Sequence, residues 1–315
     1  MPESRPEPLR AVVVGGSGQI GGWLLRVLAE RGHHAIGTYA SVPFPGLFPL
    51  DAGNREAAAS WLKAQAPDVV FYPAGFTWVD GCERDPARAY AANLEEPLNL
   101  ATAAAAEGAR FVYFSTDYVF DGSAGPYHEE SATNPLSIYG RSKLEAERAL
   151  ADELGAAQLT VRTSWVFGPE RQGKNFAYQL ARALGDGQRL VCPGDQVSSP
   201  SYGPDVARAV VLLAEARQSG LIHVAGPEIL DRTSFARAIA TAFGLNPALL
   251  DSRPTASLNQ DAARPLCGGL LTPRLDRWQK ELMRPIAHCL DDFRQKLRDS
   301  ELQDWLKRLP SMPVT

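Results

Sequence analysis

Between an apolar run at 11–14 and an amphipathic stretch reaching residue 31 lies Gly15-Gly16-Ser17-Gly18-Gln19-Ile20-Gly21. Few folds accommodate that order. Side chains at the glycine positions would hold a pyrophosphate away from the backbone, and a helix that starts directly afterwards offers free N–H groups and a positive dipole end. A glycine pattern alone is a weak signal, but strand, turn and helix in the first βα unit give it weight. The order predicts a coenzyme cradle made by Gly15, Gly18, Gln19, Ile20 and Gly21.

The rest of the N-terminal half repeats the alternation. Strands are expected at 34–38, 68–72, 110–115 and 159–163, with helices at 55–65, 98–107 and 136–153, then a helix at 204–216 and a strand at 221–225. Gly32 should stop the first helix, leaving His33 and His34 at the turn into the second strand. Strands alternating with helices specify a parallel sheet covered on both faces. From about residue 231 the chain changes to helices separated by loops with Pro247, Pro254, Pro265, Pro273 and Pro285. The expected fold is therefore α/β: a Rossmann-type doubly wound parallel sheet with a smaller, mixed C-terminal substrate-binding domain. Residues 1–167 and 204–226 would form the first part, and 168–203 with 227–315 the second.

Composition narrows the function classes. A net charge of -4 with interleaved basic and acidic residues does not suit a nucleic-acid binder. The longest apolar runs fall far short of the about 20 residues needed to span a bilayer. The four cysteines and five histidines form no ligand spacing, so no metal is expected. Few cysteines and a polar, Pro-rich start at 1–8 favour a reducing, cytoplasmic setting.

Tyr139 and Lys143 stand four residues apart, on one face of the helix expected there. A phenol is a weak acid, and a neighbouring ammonium stabilises its phenolate. Such a pair suits proton delivery to a carbonyl oxygen while hydride reaches the carbon. Ser115-Thr116 ends the preceding strand, at the edge where ligands bind a parallel sheet, so Thr116 can orient the same oxygen. The second strand runs into Thr38-Tyr39-Ala40-Ser41, with neither the acid of an NAD site nor the arginine of an NADP site, which leaves NADH and NADPH both open. Asp51 is either an adenine contact or an exposed acid that starts a helical segment.

Phe114-Ser115-Thr116-Asp117-Tyr118-Val119-Phe120-Asp121-Gly122, followed by Pro126-Tyr127 and Tyr139-Gly140-Arg141-Ser142-Lys143, resembles the extended short-chain dehydrogenases. More narrowly it is similar to the dTDP-4-dehydrorhamnose reductases. The likeness continues at Asn93, Arg162-Thr163-Ser164-Trp165-Val166-Phe167-Gly168, Gly173-Lys174-Asn175-Phe176 and Asp195-Gln196, and it thins toward Arg264-Pro265. The resemblance implies an NADPH- or NADH-dependent reductase of the 4-keto group of a nucleotide-linked 6-deoxyhexose. By position it makes Tyr139 the proton donor and Thr116 the keto-oxygen contact, with Lys143 lowering the pKa of Tyr139 and holding the nicotinamide ribose. Ala74, Gly75 and Thr77 would line the coenzyme, Trp165 would pack on the sugar, and Asn175 and Gln196 would meet the rest of the substrate. At residue level a core role for Trp165, and capping or turn roles for Asn175 and Gln196, stay open. Asp117 is followed by Tyr118, not by the glutamate of related dehydratases, which favours simple reduction.

One segment departs from the pattern. Phe71-Tyr72-Pro73-Ala74-Gly75 stands where the family has Asn followed by small residues, placing a phenol and a stiff proline beside the coenzyme. The chain also resembles the regulatory β subunit of methionine adenosyltransferase, so a non-catalytic, dinucleotide-binding role is the alternative. Helices 98–107 and 136–153 are the surfaces on which a homodimer would form, although amphipathic helices also simply cover a sheet.

Overall fold

The computed structural model describes residues 7–299. The polar N-terminal start at 1–6 and the last part of the expected second domain, 300–315, lie outside the described residues. Strands β1 (Arg10–Val13), β2 (His34–Tyr39), β3 (Leu47–Pro49), β4 (Val69–Tyr72), β5 (Arg110–Thr116) and β6 (Gln158–Thr163) join an edge strand, Gly220–His223, in one sheet. From that edge strand the order runs β6, β5, β4, β1, β2, β3, with every pair parallel. The chain leaves β1 toward β2 on one side and returns to β4 on the other. This reversal of direction opens a crevice at the carboxyl ends of β1 and β4.

The alternation of strand side chains builds two cores. Val69, Phe71, Val112 and Phe114 face helices α1 (Gln19–Glu30) and α8 (Gly203–Glu215), where Trp23, Leu24, Val206 and Val210 are buried. Val70, Tyr72, Phe111 and Tyr113 face α2 (Arg55–Gln65), α5 (Glu96–Ala106) and α6 (Ile138–Leu154). Burial on both faces explains why these strands read as continuous apolar runs.

Local chemistry sets the helix starts. Asn54 caps α2, Ser137 caps α6 by accepting from Gly140 N at 3.2 Å, and Gly32, at φ 83°, ends α1 as expected. Helices α3 (Val79–Arg84) and α4 (Pro86–Tyr90), followed by a π-helical turn at Ala91–Glu95, lead into α5 and were not expected from the sequence.

A third core gathers α7 (Phe176–Gly185), α9 (Arg232–Ala242) and α11 (Ile286–Arg298) around Phe235 and Phe293. Three short strand pairs frame it: Val166–Phe167 with Ser201–Tyr202, Val197–Ser198 with Leu230–Asp231, and Leu190–Pro193 with Leu250–Arg253. The second part is mixed, as expected, and the strand Leu250–Arg253 adds to the helices and loops expected after residue 231. These strands are two to four residues long, too short for a side-chain alternation to register. The same holds for β3, whose Leu-Phe-Pro reads as loop. Short α10 (Pro273–Trp278) packs under the edge strand, where Arg274 Nη1 donates to Leu221 O at 2.5 Å.

Candidate active site

The glycine turn lies directly on the crevice. A Cβ on Gly21 would overlap the Gly15 carbonyl, so this close approach of turn and helix admits glycine alone. Gly18 precedes α1 without a side-chain cap, which leaves the first-turn amides of the helix available. The turn itself sits beside the loop after β4, for a Cβ on Gly15 would lie 3.0 Å from the Ala74 Cβ. An uncapped helix start and a surface of bare backbone fit a dinucleotide diphosphate. The loop 168–175 closes over the turn: Gln172 Nε2 donates to Ser17 O at 2.7 Å, and Trp23 Nε1 to Pro169 O at 2.6 Å.

Gly75 and Thr77 are exposed along the loop after β4, with Ala74 half-buried beside them. Asn93, in the π-helical turn, holds that loop. Its Oδ1 accepts from Phe76 N at 2.8 Å, and its Nδ2 donates to Phe76 O and to Ser142 Oγ, each at 3.1 Å. The wider turn also presents the Asn93 carbonyl to the Tyr113 hydroxyl at 2.8 Å. Tyr72 does not face the coenzyme loop, contrary to the expectation above. Strand alternation turns it into the α5-side core, where it stacks on Phe111 at 5.8 Å and its hydroxyl faces Glu96. Asp51 is exposed, and its carboxylate accepts from Gly53 N at 3.0 Å; the cap of α2 is Asn54 instead.

Thr116, Tyr139 and Lys143 are all buried where β5 meets α6. Thr116 Oγ1 accepts from Tyr118 N and donates to Asp117 Oδ1, both at 3.2 Å. Asp117 is buried, and its Oδ2 receives the hydroxyls of Ser164 at 2.8 Å and Ser198 at 2.7 Å. Burial raises its pKa, against the opposing pull of these hydroxyls. The Tyr139 ring meets Tyr118 edge-on at 5.6 Å.

The net shift on the Tyr139 phenol is upward, because burial outweighs its hydrogen bond with Thr116. That corrects the expectation that Lys143 brings it down in the protein alone. The Lys143 ammonium lies 4.0 Å over the face of Tyr113, and burial lowers its pKa to about 7, against the opposing pull of Glu147. Glu147 itself is taken by Arg162, in a buried two-point pair at 2.9 and 2.6 Å.

The residues expected to meet the sugar nucleotide fare differently. Trp165 is half-buried at φ 40°; it carries Arg232 over its ring at 3.3 Å and stacks on Phe235 at 6.3 Å. Asn175 uses both ends of its amide locally, accepting from Ala177 N at 3.1 Å to cap α7 and donating to Gly168 O at 2.8 Å. Gln196 is buried and donates to Thr255 Oγ1 at 3.1 Å and Gln260 Oε1 at 3.2 Å. Two members of this wall, Arg232 and Ser198, had no signal in the sequence. Asp231-Arg232 reads only as a helix cap and its first turn.

The family model described as the RmlD substrate binding domain matches residues 9–298. The chain belongs to that family. Within it, the chain is 33% identical over 285 residues to a Mycobacterium tuberculosis protein named dTDP-4-dehydrorhamnose reductase, covering 89% of each chain. A Haloferax volcanii relative named probable low-salt glycan biosynthesis reductase Agl14 is 34% identical, covering 81% of this chain and 87% of its own. The crystal structure of the Bacillus anthracis dTDP-4-dehydrorhamnose reductase in complex with NADP superposes with a TM-score of 0.83 at 26% identity, covering 92% of this chain and 99% of the other. No helix among the described residues is long and apolar enough to cross a membrane.

Proposed function

We propose that this member of the RmlD family reduces the 4-keto group of a nucleotide-linked 6-deoxyhexose, dTDP-4-dehydrorhamnose above all, using NADPH or NADH. The observation that carries the reading is the convergence of Thr116, Tyr139 and Lys143 beside an uncapped, glycine-lined helix start. Relatives named as reductases of this substrate, matching over most of the chain, support it.

NADPH or NADH, when bound, would be the source of the hydride that the ketone carbon receives. Tyr139 supplies the proton to the ketone oxygen, so the C=O π pair becomes an O–H bond and the product is an alcohol. Burial keeps the phenol protonated at neutral pH, the form a donor needs. Thr116 Oγ1 is placed by Tyr118 N, and its one proton, given to Asp117 in this structure, turns to the ketone oxygen when substrate enters. Lys143 has no carboxylate of its own, because Arg162 takes Glu147. Its ammonium is free to hold ribose hydroxyls and to stabilise the phenolate left behind. Gly15, Gly18, Gln19, Ile20 and Gly21 would hold the coenzyme diphosphate, and Ala74, Gly75 and Thr77 would line its nicotinamide half.

On this reading 1–167 and 204–226 bind coenzyme while 168–203 and 227–315 bind substrate, a division supported by the separate core around Phe235. The protein works in the cytoplasm.

Oxidation of NADPH and NADH is followed separately with dTDP-4-dehydro-L-rhamnose. Turnover is expected with at least one coenzyme, and Tyr139→Phe should lower it by about 100-fold or more while coenzyme affinity holds. Coenzyme binding without turnover on any 4-ketosugar nucleotide would point to the regulatory alternative.

A further inference from the structure

Little that is directional holds Lys143. Its ammonium ends a flexible four-carbon stem, and among the described residues no hydrogen bond fixes Nζ. The titratable and charged groups around it come from four elements. On α6 stand Tyr139, one turn earlier, and Glu147, one turn later, and Arg162 of β6 takes the Glu147 carboxylate in a two-point pair. Cys82 of α3 acts on the ammonium, but its thiol donates to Phe76 O at 3.3 Å and burial pushes its pKa up to about 11. The fourth element, β5, brings the Tyr113 ring.

That ring meets the ammonium face-on, with Nζ 4.0 Å from its centroid. The negative face of an aromatic ring attracts a cation, and more strongly where water is excluded. Tyr113 is itself held on two sides. Its hydroxyl donates to the Asn93 carbonyl at 2.8 Å, and its ring lies tilted against Tyr72 at 6.5 Å. The Asn93 side chain in turn holds Phe76 and donates to Ser142 Oγ, on the residue before Lys143. Ring, coenzyme-side loop and helix are thus fixed through one asparagine. Core filling alone needs neither a hydroxyl nor an ammonium here, and the same core takes Ala146 and Leu150 from α6.

We infer that Tyr113 is the positioning residue for Lys143: its ring is the platform that orients the ammonium, and its hydroxyl anchors that platform to the Asn93 carbonyl. The consequence for turnover rests on the reductase reading above, whereas the contact itself does not. β5 then serves the site twice, through Thr116 at its end and through Tyr113 three residues earlier. The sign of the effect follows from the charge. Burial drives Lys143 toward the neutral amine, to a pKa of about 7, and the ring opposes that by favouring the ammonium. Weakening the ring therefore lowers the value further and moves the loss of the ammonium to lower pH.

NMR titration of the full chain with its lysines labelled at Cε reads this directly, since Lys143 is one of six lysines and its signal is the one lost in Lys143→Met. Tyr113→Phe keeps the ring face. Trifluorophenylalanine at the same position keeps the shape and removes most of the negative charge on that face, so packing faults cancel between the two. Tyr113→Phe is expected to titrate Lys143 within about 0.3 pH unit of wild type, and the fluorinated ring about one unit lower. The alkaline limb of kcat/KM for the coenzyme should make the same step, a loss of about tenfold at about pH 8 relative to Tyr113→Phe. Equal Lys143 midpoints with the two rings would overturn the assignment, whether both match wild type or both depart from it through the lost hydroxyl. A stepped midpoint without turnover of any 4-ketosugar nucleotide would uphold the platform and overturn the reductase reading instead.

Discussion

Lys143 sits over a tyrosine ring, and the Glu147 carboxylate that acts on it is paired with Arg162; this placement gives the candidate site a definite pH response. Burial lowers its pKa to about 7, whereas a lysine in the unfolded chain titrates near about 10.4. Below the lower value the ammonium is present; above it the amine predominates. Activity that needs the ammonium therefore falls as pH rises through about 7. Stability runs the other way: between the two values the unfolded chain holds more protons, so raising pH favours the fold. We expect kcat/KM for the coenzyme, which reports the free enzyme, to drop about tenfold per unit on the alkaline side. A profile that stays flat from about pH 6 to about pH 9 would show that Lys143 is not the titrating group. Lys143→Met should remove the limb together with most of the activity, and should flatten the alkaline rise in melting temperature.

At the scale of elements, α6 is the part of the machine that tolerates least change. Tyr139, Lys143 and Glu147 recur every four residues on its sheet-facing side, which sets donor, ammonium and the Arg162 clamp in one row. The helix approaches the 117–119 turn so closely that a Cβ on Gly140 would overlap the Tyr118 carbonyl oxygen. Gly140→Ala must push the helix outward, moving Tyr139 off the Thr116 hydroxyl. Its expected result is a fall in kcat of about tenfold or more, despite the better helix propensity of alanine. Wild-type kcat in that variant would mean the contact is slack. This row was legible in the sequence, because four-residue spacing and a serine cap are local facts. So were the strands of the main sheet, whose apolar runs report burial on both faces. The π-helical turn at Ala91–Glu95 was not, since a one-residue slip in hydrogen bonding leaves no mark on propensity. The inward turn of Tyr72 was misjudged for a related reason: the strand's register, fixed by its neighbours, decides which face the phenol takes. Arg232 escaped notice because its stacking on Trp165 joins segments far apart in the chain, and no local pattern announces it.

Across the whole molecule, the crevice depends on how the third core is held against the sheet. Arg284, between α10 and α11, makes the main polar link. Its side chain contacts Asp205 of α8 at 2.7–3.0 Å and Asp292 of α11 at 3.0 Å, and its backbone N–H also reaches Asp205 at 3.2 Å. Asp205 is buried, and its next cation, Arg208, stands 3.9 Å away. Taking away the guanidinium thus leaves a buried carboxylate nearly alone, a change that costs about 3 kcal/mol. It also frees α11, whose first turn is otherwise tied by Glu228 accepting from Ile286 N at 3.1 Å. The core between the sheet and α2, α5 and α6 lies away from this link. Arg284→Met is therefore expected to shift the urea midpoint downward and to raise KM for the ketosugar nucleotide several-fold, with coenzyme affinity retained. Urea titration followed by steady-state kinetics on the same preparation checks both halves. If coenzyme affinity collapsed in parallel with KM, the two binding regions would be one cooperative unit and the link would not divide them. If neither stability nor KM moved, Asp205 would be satisfied by Arg208 alone.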